Sequence, residues 1–381
     1  MTKLLKFVDR VVLGILVRIL GYLHFWATSG PPFTHVHRER LQSILFIRPG
    51  GLGDLLLVLP SVSRVKKVLP GVKITLACER RNEQAAIMSG AFDEIMAYDA
   101  NPIRFLWRLW RRRYDAVVDS EQFHYASALF CLISGAMVRI GFKITPARNE
   151  CYTHLIDYPM DLSEVQVFDK LVEPLIGTAA APLEIVGFLD RSKFPLHDRI
   201  KDKLHKVGWP DRPVIAVFPH AAIREKQWGN SKFLELIHAL TEKMDYSVVL
   251  IGGSDGYKTA QTLLAGSNPA RVTSIVGETS FADTAGLLAV CKAYVGTDTG
   301  SSHLAIALNV PSVVLFGPSD ERKWGAKSDR HASVHVKIPC RPCSIFGYIK
   351  LCRTVDCMAL ISVDDVLNEL NQVMKNSSKI T

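Results

Sequence analysis

Short β-branched runs alternating with longer stretches of helical period leave this chain few ways to fold. "SILFIR" (43–48), "VKITLAC" (72–78) and "DAVVD" (115–119) read as strands in the first half, with helices near 55–69 and 82–90. The second half repeats the theme in "PVIAVFP" (213–219), "YSVVLIG" (246–252), "AYVGTD" (293–298) and "SVVLFG" (312–317), with helices near 231–243, 256–266, 282–291 and 301–308. Apolar strands joined through helices call for a parallel sheet covered on both faces. A chain of 381 residues, 48% of them hydrophobic, can bury two such cores. The expected fold is α/β, with two doubly wound, Rossmann-like domains facing each other across a cleft. The polar stretch 190–213 carries no strand pattern and is the expected connection.

Doubly wound domains bind ligands at the carboxyl ends of their strands, so the turns there weigh most. The first is "GGLGD". Gly51 and Gly53 match two positions of a dinucleotide fingerprint and Glu79 follows the next strand, but Leu56 replaces the third glycine. Asp54 also stands at the helix start, where a carboxylate repels a bound phosphate. Two readings of Asp54 stay open. As an N-cap it satisfies amides of a helix that begins at Leu55; as a carboxylate on a side-chain-free turn it takes a proton from a hydroxyl.

"YVGTDTGSSHLAIALNVPSVVLFGPSD" (294–320) carries a denser signal. A strand is expected to end at Asp298, after which Thr299, Gly300 and Ser301 turn into a helix carrying His303. Small hydroxyl residues around a glycine at a helix start suit a diphosphate, held by backbone amides and the helix dipole. "FPHAAIREKQWG" (218–229) sets Arg224 and Lys226 in a strand-to-helix loop at the same sheet edge. Cations there would neutralise charge on a leaving phosphate; a solvated loop is the plain alternative.

Together these stretches resemble glycosyltransferase family 9, the lipopolysaccharide heptosyltransferases, over roughly residues 43 to 375. The resemblance rests on "GGLGD", "KQW" and above all "DTGSSHLAIALNVPSVVLFGP". It implies a GT-B fold and transfer of a sugar, usually heptose from ADP-heptose, with inversion and without a required metal or cofactor. By position it implies Asp54 as the base for the acceptor hydroxyl, Lys226 on the donor phosphates and Asp298 as the donor-sugar carboxylate. Thr299, Gly300 and His303 would line the phosphate and sugar pocket, with Asp255 near the ribose and Thr279 near the nucleobase. Ala221 and Ala222 stand where family members often carry hydroxyl residues, so only their backbone amides would serve. Gly51 and Gly53 would let the acceptor approach closely.

Residues 3–26 lie outside the resemblance. On a helical wheel Lys3, Lys6, Asp9, Arg10, Gly14, Arg18, Gly21 and His24 fall on one half, and Leu4, Leu5, Val8, Val11, Val12, Ile15, Leu16, Ile19, Tyr22, Leu23 and Trp26 on the other. That pattern suits a helix lying in a membrane interface; a helix packed on the protein's own surface and a true span are the other readings. "NPIRFLWRLWRRRYD" (101–115) interleaves tryptophans with five arginines and reads either as a solvated face or as a patch for an acidic glycolipid and the membrane. The net charge of +9 fits an acidic partner, and no recognition motif points to nucleic acid. No cleavage pattern follows the N-terminal stretch, so the expected place is the cytoplasmic face of the membrane.

Cys340, Cys343, Cys352 and Cys357 have a C-x2-C-x8-C-x4-C spacing that suits a structural zinc, two disulfides or free thiols packing a loop. The expected division is 1–40 (amphipathic helix and linker), 41–190 (acceptor domain), 191–212 (linker), 213–338 (nucleotide-sugar domain) and 339–381 (cysteine loop and a helix returning toward the first domain). The expected activity is inverting sugar transfer onto a lipopolysaccharide-type acceptor. Its rivals are an NAD-dependent nucleotide-sugar oxidoreductase or epimerase and a non-catalytic glycan-binding module of the same fold.

Overall fold

A computed structural model describes residues 9–27, 36–178, 181–344 and 352–377. Its chain divides into two compact units, Met1–Leu183 and Glu184–Thr381. The first holds six strands, β1 (Ser43–Arg48), β2 (Lys73–Cys78), β3 (Glu94–Ala97), β4 (Ala116–Asp119), β5 (Val138–Phe142) and β6 (His154–Ile156). They pair in parallel in the order β3-β2-β1-β4-β5-β6. The second holds β7 (Val214–Phe218), β8 (Ser247–Leu250), β9 (Val272–Ser274), β10 (Ala293–Thr297), β11 (Ser312–Leu315) and β12 (His331–Val334), ordered β12-β11-β10-β7-β8-β9.

Each sheet therefore starts at its centre, winds outward, then returns to build the other half. The strand order reverses between β1 and β4 in one unit and between β7 and β10 in the other. Helices leaving two such neighbours go to opposite faces, which opens a crevice at the carboxyl ends of the strands.

The seven expected strands are present. Five more were not legible: β5 is broken by Arg139 and Gly141, and the four sheet edges β3, β6, β9 and β12 are only three or four residues long. Edge strands bury less and need no continuous apolar run.

In the first unit α1 (Gly14–Ala27), α2 (Leu52–Val68), α3 (Arg80–Ser89), α4 (Pro102–Arg112), α5 (Tyr125–Ile133) and α6 (Glu164–Ile176) cover the sheet. Val17 of α1, Phe105 and Leu109 of α4, and Ala128, Phe130 and Cys131 of α5 join one core cluster with Leu45, Ile47, Ala77 and Val117. α2 and α6 pack against each other. A π-turn, Asp9–Leu13, precedes α1, and the Asp9 carboxylate accepts the Tyr125 and Ala126 amides at 3.3 and 3.0 Å, so it caps α5. α1 packs through its small face: a Cβ on Gly14 would lie 3.4 Å from the Tyr125 ring of α5, and one on Gly21 3.2 Å from Cβ of Glu150, just after the short helix Pro146–Asn149.

In the second unit α7 (Asp198–His205), α8 (Asn230–His238), α9 (Tyr257–Ala265), α10 (Phe281–Val290), α11 (Gly300–Ala307) and α12 (Val363–Ser377) do the same work. The stretch 190–213 is not a bare connection. It contains α7, whose Ile200 and Leu204 are buried, and Lys203 ties it to Ser274 and Glu278 of the second unit. The closing helix α12 lies against β10, β11, β12 and α8 of its own unit. No described helix is long and apolar enough to cross a membrane. Cys340, Cys343, Cys352 and Cys357 are free thiols, so the disulfide arrangement is corrected, and among the described residues no His, Cys, Asp or Glu side chains group as metal ligands.

Candidate active site

β1 ends in Arg48, and the chain turns through Pro49, Gly50 and Gly51 into α2. Gly50 takes φ +113°, a conformation that only glycine adopts without strain. The N-cap is Gly51, with the Leu55 amide bonded to its carbonyl, so α2 begins at Leu52. This corrects the expected helix start at Leu55 with Asp54 as N-cap. Asp54 sits within the first turn, where Gly51 leaves room for it: a Cβ at 51 would stand 3.1 Å from Asp54 Oδ2.

Behind Asp54 runs a line of alternating charge. Arg48, 4% exposed, has its Nη2 3.4 Å from Asp54 Oδ2 and 3.8 Å from Glu121 Oε2, and Glu121 Oε2 is 3.2 Å from His124 Nδ1. Arg48 also donates to the Ser120 carbonyl at 2.6 Å and lies 5.5 Å over the Phe168 ring. Burial pushes the Glu121 carboxyl up, but His124 and Arg48 outweigh it and hold the group far below its ordinary range. The His124 imidazole is raised by its interaction with Glu121, which outweighs the lowering effect of burial. Next to this line Gln122 and Tyr158 both donate to Glu164. Asp54, 27% exposed, is the least buried member of the line apart from His124.

Sequence reasoning missed Arg48, Glu121 and His124. Their signal was positional: Arg48 ends β1 and Glu121 follows β4, and those strands are neighbours at the reversal of strand order.

In the second unit, the loops after β7 and β10 meet at the equivalent reversal. Lys226, in a 3-10 turn over Arg224–Lys226, donates to Asp298 Oδ2 at 2.6 Å and to the Asp298 carbonyl at 3.3 Å. Asp298 Oδ1 is 4.0 Å from His303 Nε2. Burial raises the Asp298 carboxyl, but Lys226, His303 and a hydrogen bond from Ser319 together hold it below its ordinary value. The expected phosphate cation is thus engaged with the expected sugar carboxylate.

Thr299 is the N-cap of α11, and Gly300 opens the helix. The Thr299 amide donates to Ser302 Oγ, and Ser301 Oγ bonds both Thr299 Oγ1 and Tyr294 Oη at 2.9 Å. The first amides of a helix have no partner within it. Arg224 is exposed and reaches the Cys352 carbonyl at 3.5 Å. Ala221 is buried with its carbonyl accepting from Gln227, whereas Ala222 is exposed. Asp255 lies beyond β8, 3.4 Å from His220 of the β7 loop, and Thr279 lies beyond β9 and accepts from Thr284.

Residues 103–347 match the family model described as glycosyltransferase family 9 (heptosyltransferase). The chain belongs to glycosyltransferase family 9. Within the family, lipopolysaccharide heptosyltransferase 3 of Escherichia coli K12 is 24% identical over 295 residues, spanning 71% of this chain and 81% of that protein. The structure of E. coli ADP-heptose lipopolysaccharide heptosyltransferase II is similar, with a TM-score of 0.72 and 21% identity over 88% of this chain and 99% of that one. So is that of the E. coli heptosyltransferase WaaC with ADP, with a TM-score of 0.66 and 18% identity over 87% of this chain and 99% of the other. The two six-stranded parallel sheets are those of GT-B heptosyltransferases. Family 9 membership makes the chain an enzyme of glycosyl transfer and sets aside both the oxidoreductase and the non-catalytic readings.

Proposed function

We propose that the chain moves a heptose from ADP-heptose, with inversion, onto a hydroxyl of an acidic lipopolysaccharide-core acceptor at the cytoplasmic face of the membrane. The observation that carries this reading is Asp54, an accessible carboxylate beside a buried arginine on a glycine-rich turn. As the acceptor oxygen attacks the anomeric carbon, Asp54 takes its proton, and the bond to the diphosphate breaks on the opposite face of the sugar. The leaving diphosphate needs preorganised donors, and the α11 start with Thr299, Gly300 and Ser301 suits it. Lys226 adds the cation, Asp298 and His303 meet the sugar, and Asp255 and Thr279 flank the nucleoside. Arg224 and the amides of Ala221 and Ala222 complete the donor loop, while Gly51 and Gly53 admit the acceptor. A membrane surface met through residues 3–26 is consistent with a lipid-linked acceptor. No step here calls on a metal ion.

Replacement of Asp54 by Ala tests the reading directly. Turnover should vanish while ADP binding, measured by calorimetry, stays within about twofold of the parent. Turnover retained in that variant removes Asp54 as the base.

A further inference from the structure

Two helices of the first unit leave large apolar side chains exposed. In α1 and the π-turn before it, Gly14, Val17 and Gly21 face inward, while Val12, Ile15 and Ile19 are each 53% exposed and Val11 and Leu16 are also exposed. α4 packs on the same helix, α5, through Phe105 and Leu109 and leaves Ile103, Trp107 and Trp110 at 83, 52 and 66% exposure. Isolated exposed apolar residues are ordinary, but a group of this size marks an interaction surface.

Charge identifies the partner. Neither 10–27 nor 101–114 contains an acidic residue. Arg18, Arg104, Arg111 and Arg113 are exposed, and the Arg111 guanidinium lies 5.1 Å over the Trp107 ring. Arg108 and Arg112 pair with Glu94 of β3, which anchors α4 and leaves the other arginines to solvent. A two-fold contact with a second copy would set these arginines against each other. An anionic bilayer complements both parts of the surface, since its interface accepts tryptophan and aliphatic side chains while its phosphates meet arginine.

We propose that α1 and α4 together form an in-plane docking surface for an anionic lipid bilayer. The proposal rests on the acceptor reading above for its purpose, and it adds to residues 3–26 a second, independent element with its own aromatic anchors. Lipid binding itself requires no catalysis, which separates the two tests.

Co-sedimentation of the full chain with phosphatidylglycerol–phosphatidylethanolamine vesicles, against phosphatidylcholine vesicles, measures it. The chain should partition at least tenfold better onto the anionic vesicles, and added salt should reduce the difference. Trp107→Ser with Trp110→Ser, and separately Ile15→Ser with Ile19→Ser, should each lower partitioning about tenfold with unchanged thermal unfolding. Arg104→Gln with Arg111→Gln should remove most of the preference for anionic lipid. Asp54→Asn should bind vesicles like the parent, so loss of turnover there leaves this proposal standing. It is overturned if the α4 variants bind as the parent does. It is equally overturned if sedimentation shows a dimer that Ile15→Ser with Ile19→Ser dissociates, since a second copy then covers the face.

Discussion

After β1 the chain passes through Gly50 and Gly51 into α2, and after β10 it passes through Asp298 and Thr299 into α11. Both turns lie where strand order reverses, and both carry one carboxylate. They differ in where the carboxylate stands and in what it meets. Asp54 is inside the first turn of its helix, partly exposed, with one arginine behind it. Asp298 precedes the N-cap of its helix and is buried against Lys226, with His303 beyond. In the first turn negative charge is presented and occupies the helix start; in the second it is absorbed and the helix start stays open to an anion. In the proposed reading one topology thus supplies both the base and the anion cradle, according to a shift of a few positions in one residue.

The strongest way to break this contrast is to silence the presented carboxylate. Asp54→Asn keeps the shape of the turn and should lower kcat by about a thousandfold, with donor affinity unchanged by calorimetry. If donor affinity falls instead, Asp54 belongs with the donor and the contrast fails. Lys226→Met attacks the other side. It leaves Asp298 buried without its cation, so urea unfolding should report a loss of about 3 kcal/mol, and ADP should bind more weakly. Adding Asp298→Asn should recover most of that stability without restoring ADP affinity.

Two milder changes sharpen the picture. Gly51→Ala keeps an ordinary φ but crowds the Asp54 carboxylate, and should reduce kcat about tenfold, roughly 1.4 kcal/mol of barrier, at nearly constant KM for the donor. The smallest effect concerns the end of the charge line. The His124 imidazole is raised above its unfolded value of about 6.5, so its contribution to stability is complete below that pH and is lost as pH rises through the folded value. The stability gap between the parent and His124→Gln should therefore be widest near pH 6 and narrow toward alkaline pH in unfolding titrations. A gap that widens with pH would mean that His124 does not carry charge beside Glu121.

Central strands and the two turns were legible because burial on both faces writes continuous apolar runs, and tight turns into helices write small residues. The contacts that hold Arg48 behind Asp54, and the pairing of Lys226 with Asp298, were not. Arg48 meets Ser120, and Lys226 meets Asp298, each across 72 positions. Strand order, rather than any local pattern, makes them neighbours. The N-terminal helix gave a third lesson. Its wheel separates a polar half from an apolar half, but the packing surface is the glycine edge, where Gly14 lies against Tyr125 of α5 and Gly21 closely against Glu150.

The cap that Asp9 places on α5 has a practical side. Anyone shortening the chain to remove its sticky first helix would also take the carboxylate that holds the Tyr125 and Ala126 amides, at a cost of about 1 kcal/mol. The residue before those amides is His124, the last charge in the line behind Asp54. A shortened enzyme with low turnover would then be easy to misread as proof that lipid contact activates catalysis, when the chain had merely lost a cap. A full-length chain carrying Asp9→Ala is the control that tells the two apart.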